Sequence, residues 1–213
     1  MYEINVNGKT HKSLTNRKLI DFLREDLSLT SVKNGCSEGA CGACMVLIDG
    51  KPCRACVREL KNLVGKSILT VEGLSEREKD VYSYSFSLSG AVQCGFCIPG
   101  MVISAKALLD SVPDPTAEDV RYAIKNNICR CTGYKKIEEA ILMAAEMFRE
   151  NIPVPQGHYT GKVGENIPRT DAAAKVLGTA QYAADIKIEG MIYGSALRAE
   201  YPRALIKSID TSE

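Results

Sequence analysis

The segment CSEGACGAC, residues 36–44, restricts the fold of this chain more than any other part of the sequence. It places three cysteines in one short loop: Cys36, Cys41 and Cys44. A C-x4-C-x2-C run followed by a later single cysteine is the plant-type spacing for a [2Fe–2S] cluster. We therefore predict such a cluster at this loop. Cys53 and Cys56 both follow it, and spacing alone fits either one as the fourth ligand.

A second group of cysteines lies further along the chain, in the pieces CGFC (94–97) and CRC (129–131). Its members are Cys94, Cys97, Cys129 and Cys131. Pro99 indicates that a helix starts directly after the first piece, and helix N-termini stabilise thiolate and cluster charge. We predict a second [2Fe–2S] cluster here. A zinc site or a redox-active C-x-x-C pair is the alternative, although the x4 interval of the first group fits zinc poorly.

The composition excludes several classes of protein. The 213 residues carry a net charge of +1 and are 45% hydrophobic, which allows one large or two small cores and gives no global attraction for nucleic acid. No apolar run approaches the ~20 residues that span a bilayer, and the N-terminus lacks a secretory signal. We therefore predict a cytoplasmic protein with no nucleic-acid or membrane partner, whose nine cysteines are thiols or metal ligands rather than disulfides.

Residues 1–75 are predicted to form strands around one short helix. Asn7-Gly8 is a two-residue hairpin signal, and the apolar run at 45–48, which ends at an Asp49-Gly50 turn, is typical of a buried strand.

Residues 76–150 change to helical patterns. The clearest helix is 135–149, where apolar residues recur at i, i+3, i+4, i+7 and i+8. Thr116 is predicted to cap another helix, with Asp119 as its partner. One segment conflicts with this pattern, because at 82–89 aromatic residues and a leucine alternate with serines, which alone predicts a strand.

From residue 151 the prolines and Gly157 indicate a linker, which we assign to 151–162. Residues 160–213 are predicted to hold short strand-like pieces and turns, with too few apolar residues for an independent core. The two histidines, His11 and His158, are expected on the surface in a turn and in the linker, so no catalytic residue is predicted in this chain.

Several of these motifs resemble one known family. QCGFCIPGM at 93–101 and CRCTGY at 129–134 resemble the signature of the iron–sulfur region of the xanthine oxidase family of molybdenum hydroxylases. The first cysteine loop, with DGK at 49–51, resembles that family's first cluster loop. The likeness covers roughly residues 1–150 and is closest to prokaryotic aldehyde oxidoreductases. Residues 163–213 resemble the opening of the family's molybdenum-binding part, for example at Arg169, Asp171 and Lys175.

The resemblance implies an α+β fold. A β-grasp [2Fe–2S] ferredoxin-like domain would occupy 1–75, and an all-α four-helix-bundle [2Fe–2S] domain would occupy 76–150, with a helix at 76–90 despite the alternation. Residues 163–213 would be an incomplete N-terminal piece of the molybdopterin-binding domain. Because the surface that packs against this piece would lie elsewhere, we expect residues 151–213 to pack poorly.

The resemblance also implies the site residues. It places the fourth ligand of the first cluster at Cys56 and leaves Cys53 as an extra cysteine. The eight implied ligands are Cys36, Cys41, Cys44, Cys56, Cys94, Cys97, Cys129 and Cys131. Gln93 and Cys131 would contact the molybdopterin cofactor of the partner.

On this basis we interpret the chain as the electron-transfer portion of a molybdenum hydroxylase of the aldehyde oxidoreductase or xanthine dehydrogenase type. It would carry two [2Fe–2S] clusters and pass electrons from molybdenum to flavin or an external acceptor. The predicted partner is a molybdopterin-binding domain or subunit, with an FAD subunit as a second candidate. A free-standing ferredoxin-like electron carrier and a zinc-binding interaction module are the alternatives.

Overall fold

The N-terminal part of the chain forms a five-stranded mixed sheet in this computed structural model, which describes residues 1–155, 157, 160–165 and 167–212. The strands are β1 (Tyr2–Val6), β2 (Lys9–Ser13), β3 (Met45–Ile48), β4 (Lys51–Arg54) and β5 (Ser67–Leu69). Their order is β2-β1-β5-β3-β4, with β1 and β5 parallel and the other neighbours antiparallel. Helix α1 (Leu19–Asp21) continues as a π-helical turn (Phe22–Asp26) and lies in the connection between β2 and β3.

Two tight hairpins lie at the two turns that the sequence predicted. Asn7 and Gly8 have φ values of 51° and 78°, and Asp49 and Gly50 have values of 50° and 76°. Two consecutive left-handed residues define a type I′ turn, whose twist matches that of the flanking strands. His11, expected in a turn, instead lies within β2, where it pairs with Ile4, and His158 lies outside the described residues.

Strand β3 is buried on both of its faces. Val46 and Ile48 point into the core of the sheet domain, whereas Met45 and Leu47 belong to a second core formed mainly by the helices. Successive side chains of a strand point to opposite faces, so a strand packed on both sides must be apolar throughout. This explains the uninterrupted run at 45–48.

Four helices follow the sheet. They are α2 (Glu76–Leu88), α3 (Ile98–Ser111), α4 (Ala117–Ile124) and α5 (Lys135–Arg149). Helix α2 packs against α5, α4 packs against both α3 and α5, and α3 also contacts β3. The rings of Tyr82 and Phe148 join α2 to α5 edge-on, with centroids 5.4 Å apart. The bounds of α5 and the Thr116–Asp119 capping box of α4 agree with the prediction.

Helix α2 resolves the conflict at 82–89 in favour of a helix. Its buried residues are Val81, Tyr82, Ser85 and Phe86, which recur at helical rather than alternating spacing. The Ser75 hydroxyl and the Glu78 carboxylate form a capping box at its start. The serine alternation is therefore incidental to the helix.

The expectation that residues 151–213 pack poorly is wrong for their first part. The chain divides into one compact unit, Met1–Ala180, and a small second unit that starts at Gln181. Within the first unit, helix α6 (Ala172–Val176) packs on α2 and α3. Ala172 and Val176 are fully buried in the helical core, because both face the same side of this one-turn helix.

The second unit contains a 3₁₀ turn at Ala183–Asp185. Within the described residues 160–165 and 167–212 no strand forms, so the predicted strand-like pieces are not observed there. The unit exposes a series of large apolar side chains: Ile186, Ile188, Met191, Ile192, Tyr193, Leu197, Tyr201, Leu205, Ile206 and Ile209. In the part of the chain that the structure describes, no helix combines the length and apolarity needed to cross a membrane.

Candidate iron–sulfur centres

The first cysteine loop wraps around the thiol of Cys36. The backbone N–H groups of Ala40 and Cys41 donate to Cys36 Sγ, with N···S distances of 3.3 and 3.4 Å. The amide of Cys41 is the main reason that the pKa of Cys36 is lowered to about 6, and the amides of Glu38 and Ala40 act in the same direction. The Cys36 thiol also contacts the thiol of Cys41. The loop therefore favours a thiolate at Cys36, the form that binds metal.

A second pair of thiols, Cys44 and Cys56, completes this site. The 3₁₀ turn Ala55–Val57 follows β4 and brings Cys56 against Cys44, and both cysteines are buried. Burial raises the pKa of Cys44 to about 12, although the nearby amides of Cys56 and Ala55 act to lower it. Cys56 lies near enough to Cys41 for the two thiols to interact electrostatically. Four thiols, in two contacting pairs, thus surround one position.

Cys53 lies apart from this group of thiols. It occupies β4 opposite Val46 and packs, half-buried, against the core of the sheet domain. Only two residues separate Cys53 from Cys56, yet Cys53 is held by strand pairing and Cys56 by the 3₁₀ turn.

The second group of thiols has the same arrangement of pairs. The thiol of Cys97 contacts that of Cys129, and the thiol of Cys94 contacts that of Cys131. Burial raises the pKa of Cys97. Burial also acts to raise the pKa of Cys129, but the Thr132 hydroxyl, 3.1 Å from the sulfur, and nearby amides outweigh it, so that pKa is lowered.

The paired thiols fit a two-iron cluster. A [2Fe–2S] cluster takes four thiolates, two on each iron, so the four sulfurs must approach in pairs around a shared centre. Both groups meet this requirement, and backbone N–H groups point at the sulfurs in each. Among the described residues, no three His, Cys, Asp or Glu side chains are arranged to hold a single metal ion.

The two cysteine groups are joined by direct hydrogen bonds. The N–H of Ile128, the residue before Cys129, donates to the carbonyl oxygen of Cys41 with an N···O distance of 2.8 Å. One residue earlier, the buried Asn127 side chain donates to the carbonyl of Gly42 at 3.0 Å and accepts from the Ser104 hydroxyl at 2.7 Å. A path of covalent bonds and one hydrogen bond therefore connects a thiol of each group.

Glycine at position 42 makes this close approach possible. Gly42 has φ +71°, and a Cβ there would lie 2.1 Å from the carbonyl oxygen of Asn126. On the other side, a Cβ on Gly100 of α3 would lie 2.5 Å from the Gly42 carbonyl oxygen. Side chains at either position would push the two loops apart. The sequence patterns did not predict this contact of Asn127 and Ser104, and the one local signal for it was Ser104 itself, a serine within an apolar helix.

The outer edge of the second group is open to solvent. Gln93, Cys94, Arg130 and Cys131 are all exposed, whereas Cys97 is buried beneath them. The structure thus places Gln93 and Cys131, the two residues expected to meet a pterin, on the same accessible edge.

Comparisons with known proteins agree with this geometry. Residues 2–81 match the family model described as a 2Fe-2S iron-sulfur cluster binding domain, and residues 70–142 match the model described as a [2Fe-2S] binding domain. Together the fold and the paired thiols define an iron–sulfur protein with two [2Fe–2S]-binding domains in tandem.

Similar proteins narrow this class. The chain is 48% identical to the nicotinate dehydrogenase small FeS subunit of Eubacterium barkeri, over 67% of the chain and 93% of that protein. It is 41% identical to the aldehyde oxidoreductase of Megalodesulfovibrio gigas, over 99% of the chain and 25% of that protein. The crystal structure of the aldehyde oxidoreductase from Desulfovibrio desulfuricans superposes with a TM-score of 0.79 at 42% identity, covering 86% of this chain and 22% of that one. The chain belongs to the iron–sulfur region of the xanthine oxidase family of molybdenum hydroxylases.

The chain spans about a quarter of the length of the aldehyde oxidoreductases that it matches. Its match to the small FeS subunit, in contrast, covers 93% of that subunit's length and 67% of this chain.

Proposed function

We propose that this chain is the electron-transfer portion of a molybdenum hydroxylase of the aldehyde oxidoreductase or xanthine dehydrogenase type. It conducts electrons from a molybdenum centre, held by another domain or subunit, to flavin or to an external acceptor. The observation that carries the proposal is the pair of four-thiol groups linked through the hydrogen bond between the Ile128 N–H and the Cys41 carbonyl. This bond, with an N···O distance of 2.8 Å, is the only non-covalent step in a bonded path between the two sites.

In this proposal each group of four thiols binds one cluster. Cys36, Cys41, Cys44 and Cys56 bind the first, and Cys94, Cys97, Cys129 and Cys131 bind the second. The thiol contacts support a division in which Cys36 and Cys41 would hold one iron and Cys44 and Cys56 would hold the other. Sheet residues 1–75 form the first domain, and the helices of 76–150 form a four-helix bundle around the second cluster. The chain works in the cytoplasm, where its thiols stay reduced.

The chain's own groups perform three tasks in this role. When bound, the clusters supply one-electron redox chemistry. The amides of Ala40 and Cys41 stabilise negative charge on the Cys36 sulfur, and burial of Cys44 and Cys97 excludes water from the inner edge of each site. The Asn127 side chain joins the two loops through its bond to the Gly42 carbonyl, and the Ser104 hydroxyl holds that side chain in place.

Residues 163–213 are proposed to begin the molybdenum-binding part. The exposed apolar side chains of the second unit support this, because large apolar side chains exposed in such number are commonly covered by another domain. A molybdopterin-binding domain or subunit is therefore the proposed partner. An FAD subunit is the second proposed partner, acting as the electron acceptor. The substrate site belongs to the molybdenum-binding part.

The cluster assignment leads to a direct analytical test. The anaerobically purified full chain should contain about four iron and about four acid-labile sulfide per molecule, the content of two [2Fe–2S] clusters. After reduction it should give two distinct EPR signals, because one site is formed by a sheet loop and the other by helix ends. Stoichiometric zinc, or a single reducible centre on titration, would contradict the proposal.

Gln93 and Cys131 are proposed to face the molybdopterin. Both are exposed at the second site, and a side-chain amide can donate and accept hydrogen bonds, as a pterin edge requires. In the complete enzyme, Gln93→Ala should reduce the molybdenum content or slow cluster reduction by substrate, while both EPR signals persist. Asn62→Ala, which removes an exposed amide of the sheet domain, serves as the control. Unchanged molybdenum content and reduction rate in Gln93→Ala would leave Gln93 as a residue that caps the neighbouring turn.

A further inference from the structure

Lys175 of helix α6 covers the loop that carries Cys94 and Cys97. Its side chain is only 13% exposed. Its aliphatic stem lies over Gly95, where a Cβ would come within 2.7 Å of Lys175 Cβ and 2.9 Å of Lys175 Cδ. Gly95 has φ +84°, so its backbone conformation also favours glycine. The loop and the lysine are therefore packed against each other without space for a side chain between them.

The ammonium group of Lys175 reaches the peptide bond that precedes Cys94. Lys175 Nζ donates to the carbonyl oxygen of Gln93 with an N···O distance of 3.3 Å. It also pairs with the Asp171 carboxylate one turn earlier, at 2.8 Å. Two contacts thus hold the ammonium group at one position beside the second site.

The opposite end of the same peptide bond touches a proposed ligand. The carbonyl of this peptide belongs to Gln93 and its N–H belongs to Cys94, and that N–H lies beside the thiol of Cys131. The peptide group therefore lies between the Lys175 ammonium, which is bonded to its carbonyl oxygen, and the Cys131 sulfur beside its N–H. A cation at the carbonyl polarises the peptide group, so the N–H becomes a stronger donor toward that sulfur.

Helix α6, which carries Lys175, is anchored in the helical core. Ala172 and Val176 are buried in the helical core, with exposed fractions of 1% and 0%, and α6 contacts both α2 and α3. Lys175 therefore projects from an anchored helix turn. Residues beyond the family's iron–sulfur signature thus reach back to a cluster site.

We propose that Lys175 is a positioning residue for the second cluster, which raises the cluster's reduction potential by polarising the Gln93–Cys94 peptide toward the Cys131 sulfur. This inference rests on the proposed function, since it requires a cluster at the second site. Reduction adds one negative charge to the cluster, and a stronger N–H donor and a nearby cation stabilise the reduced state more than the oxidised state. Asp171 offsets part of the charge of the cation, so the peptide contact carries most of the effect.

Potentiometric EPR titration of the cluster-loaded full chain tests this inference. Lys175→Met keeps the stem over Gly95 and removes the charge and the donor. It should lower the ratio of reduced to oxidised second cluster about tenfold at a fixed potential, which is about 59 mV for a one-electron couple. Lys175→Arg keeps a charged donor and should stay close to the wild type. The first cluster should titrate unchanged in both variants.

Lys12→Met is the matched control, because Lys12 is an exposed lysine of β2 that pairs with Glu3. It should shift neither cluster. An unshifted second cluster in Lys175→Met, an equal shift of both clusters, or an equal shift in Lys175→Arg would each overturn the inference. A wild-type chain without two clusters would instead refute the proposed function, so the two failures are distinguishable.

Discussion

Replacing Cys56 by serine is expected to remove one [2Fe–2S] cluster, whereas replacing Cys53 by serine is expected to leave both. Cys56 is buried in contact with Cys44 and lies near Cys41. Iron should fall from about four to about two per chain in Cys56→Ser, and the EPR signal of the first site should be lost or strongly altered.

Cys53→Ser is the matched control for this variant. It makes the same chemical change three residues earlier, on a half-buried strand position opposite Val46. Iron content and both EPR signals should match those of the wild type. If Cys53→Ser loses the first signal and Cys56→Ser retains it, the fourth ligand is Cys53 and the assignment is reversed.

Gly42→Ala is expected to be the most destabilising of the conservative substitutions in the cluster loops. The new methyl group would lie 2.1 Å from the Asn126 carbonyl oxygen, and the residue would have to keep a φ of +71°. The left-handed conformation costs about 1–2 kcal/mol and overpacking about 1–3 kcal/mol, so the total loss of folding free energy is roughly 2–5 kcal/mol. For a chain of this size, this corresponds to a fall of about 10 °C in the melting temperature.

Gly50→Ala separates the two contributions to this loss. Gly50 has φ +76°, but a Cβ there meets nothing within 4 Å, so only the conformational cost of about 1–2 kcal/mol applies. Thermal melting of both variants at one scan rate, followed by visible absorption and by circular dichroism, gives the comparison. Equal losses in the two variants would mean that the loops can separate to accommodate Gly42→Ala without cost.

Much of the fold followed from local sequence patterns. Helix α5 was predicted with its observed bounds, because its apolar stripe is long and regular. Helix α2 was predicted only from the family resemblance, since its alternating serines resemble a strand. A local signal was nevertheless present in Ser75 and Glu78, which form the capping box that begins α2.

The candidate sites were predictable in their residues but not in their environment. Cysteine spacing identified both groups, yet it did not distinguish Cys53 from Cys56, because that choice depends on how β4 pairs with β3 and on the 3₁₀ turn after it. The contact of Gly42 with Asn127 joins residues that are 85 positions apart, and no local pattern encodes such a contact. The packing of α6 was missed for the same reason, since a single buried turn has no detectable periodicity.

The burial of β3 on both faces makes the sheet and the helices dependent on one another for folding. A chain cut after residue 75 would present Met45 and Leu47 to water on one side of a central strand, where they now pack in the helical core. Such an apolar face on a small sheet favours association with other chains over a soluble monomer. The sheet domain and the helices should therefore unfold in one cooperative step. For the sheet domain to work alone as a ferredoxin, polar residues would have to replace Met45 and Leu47.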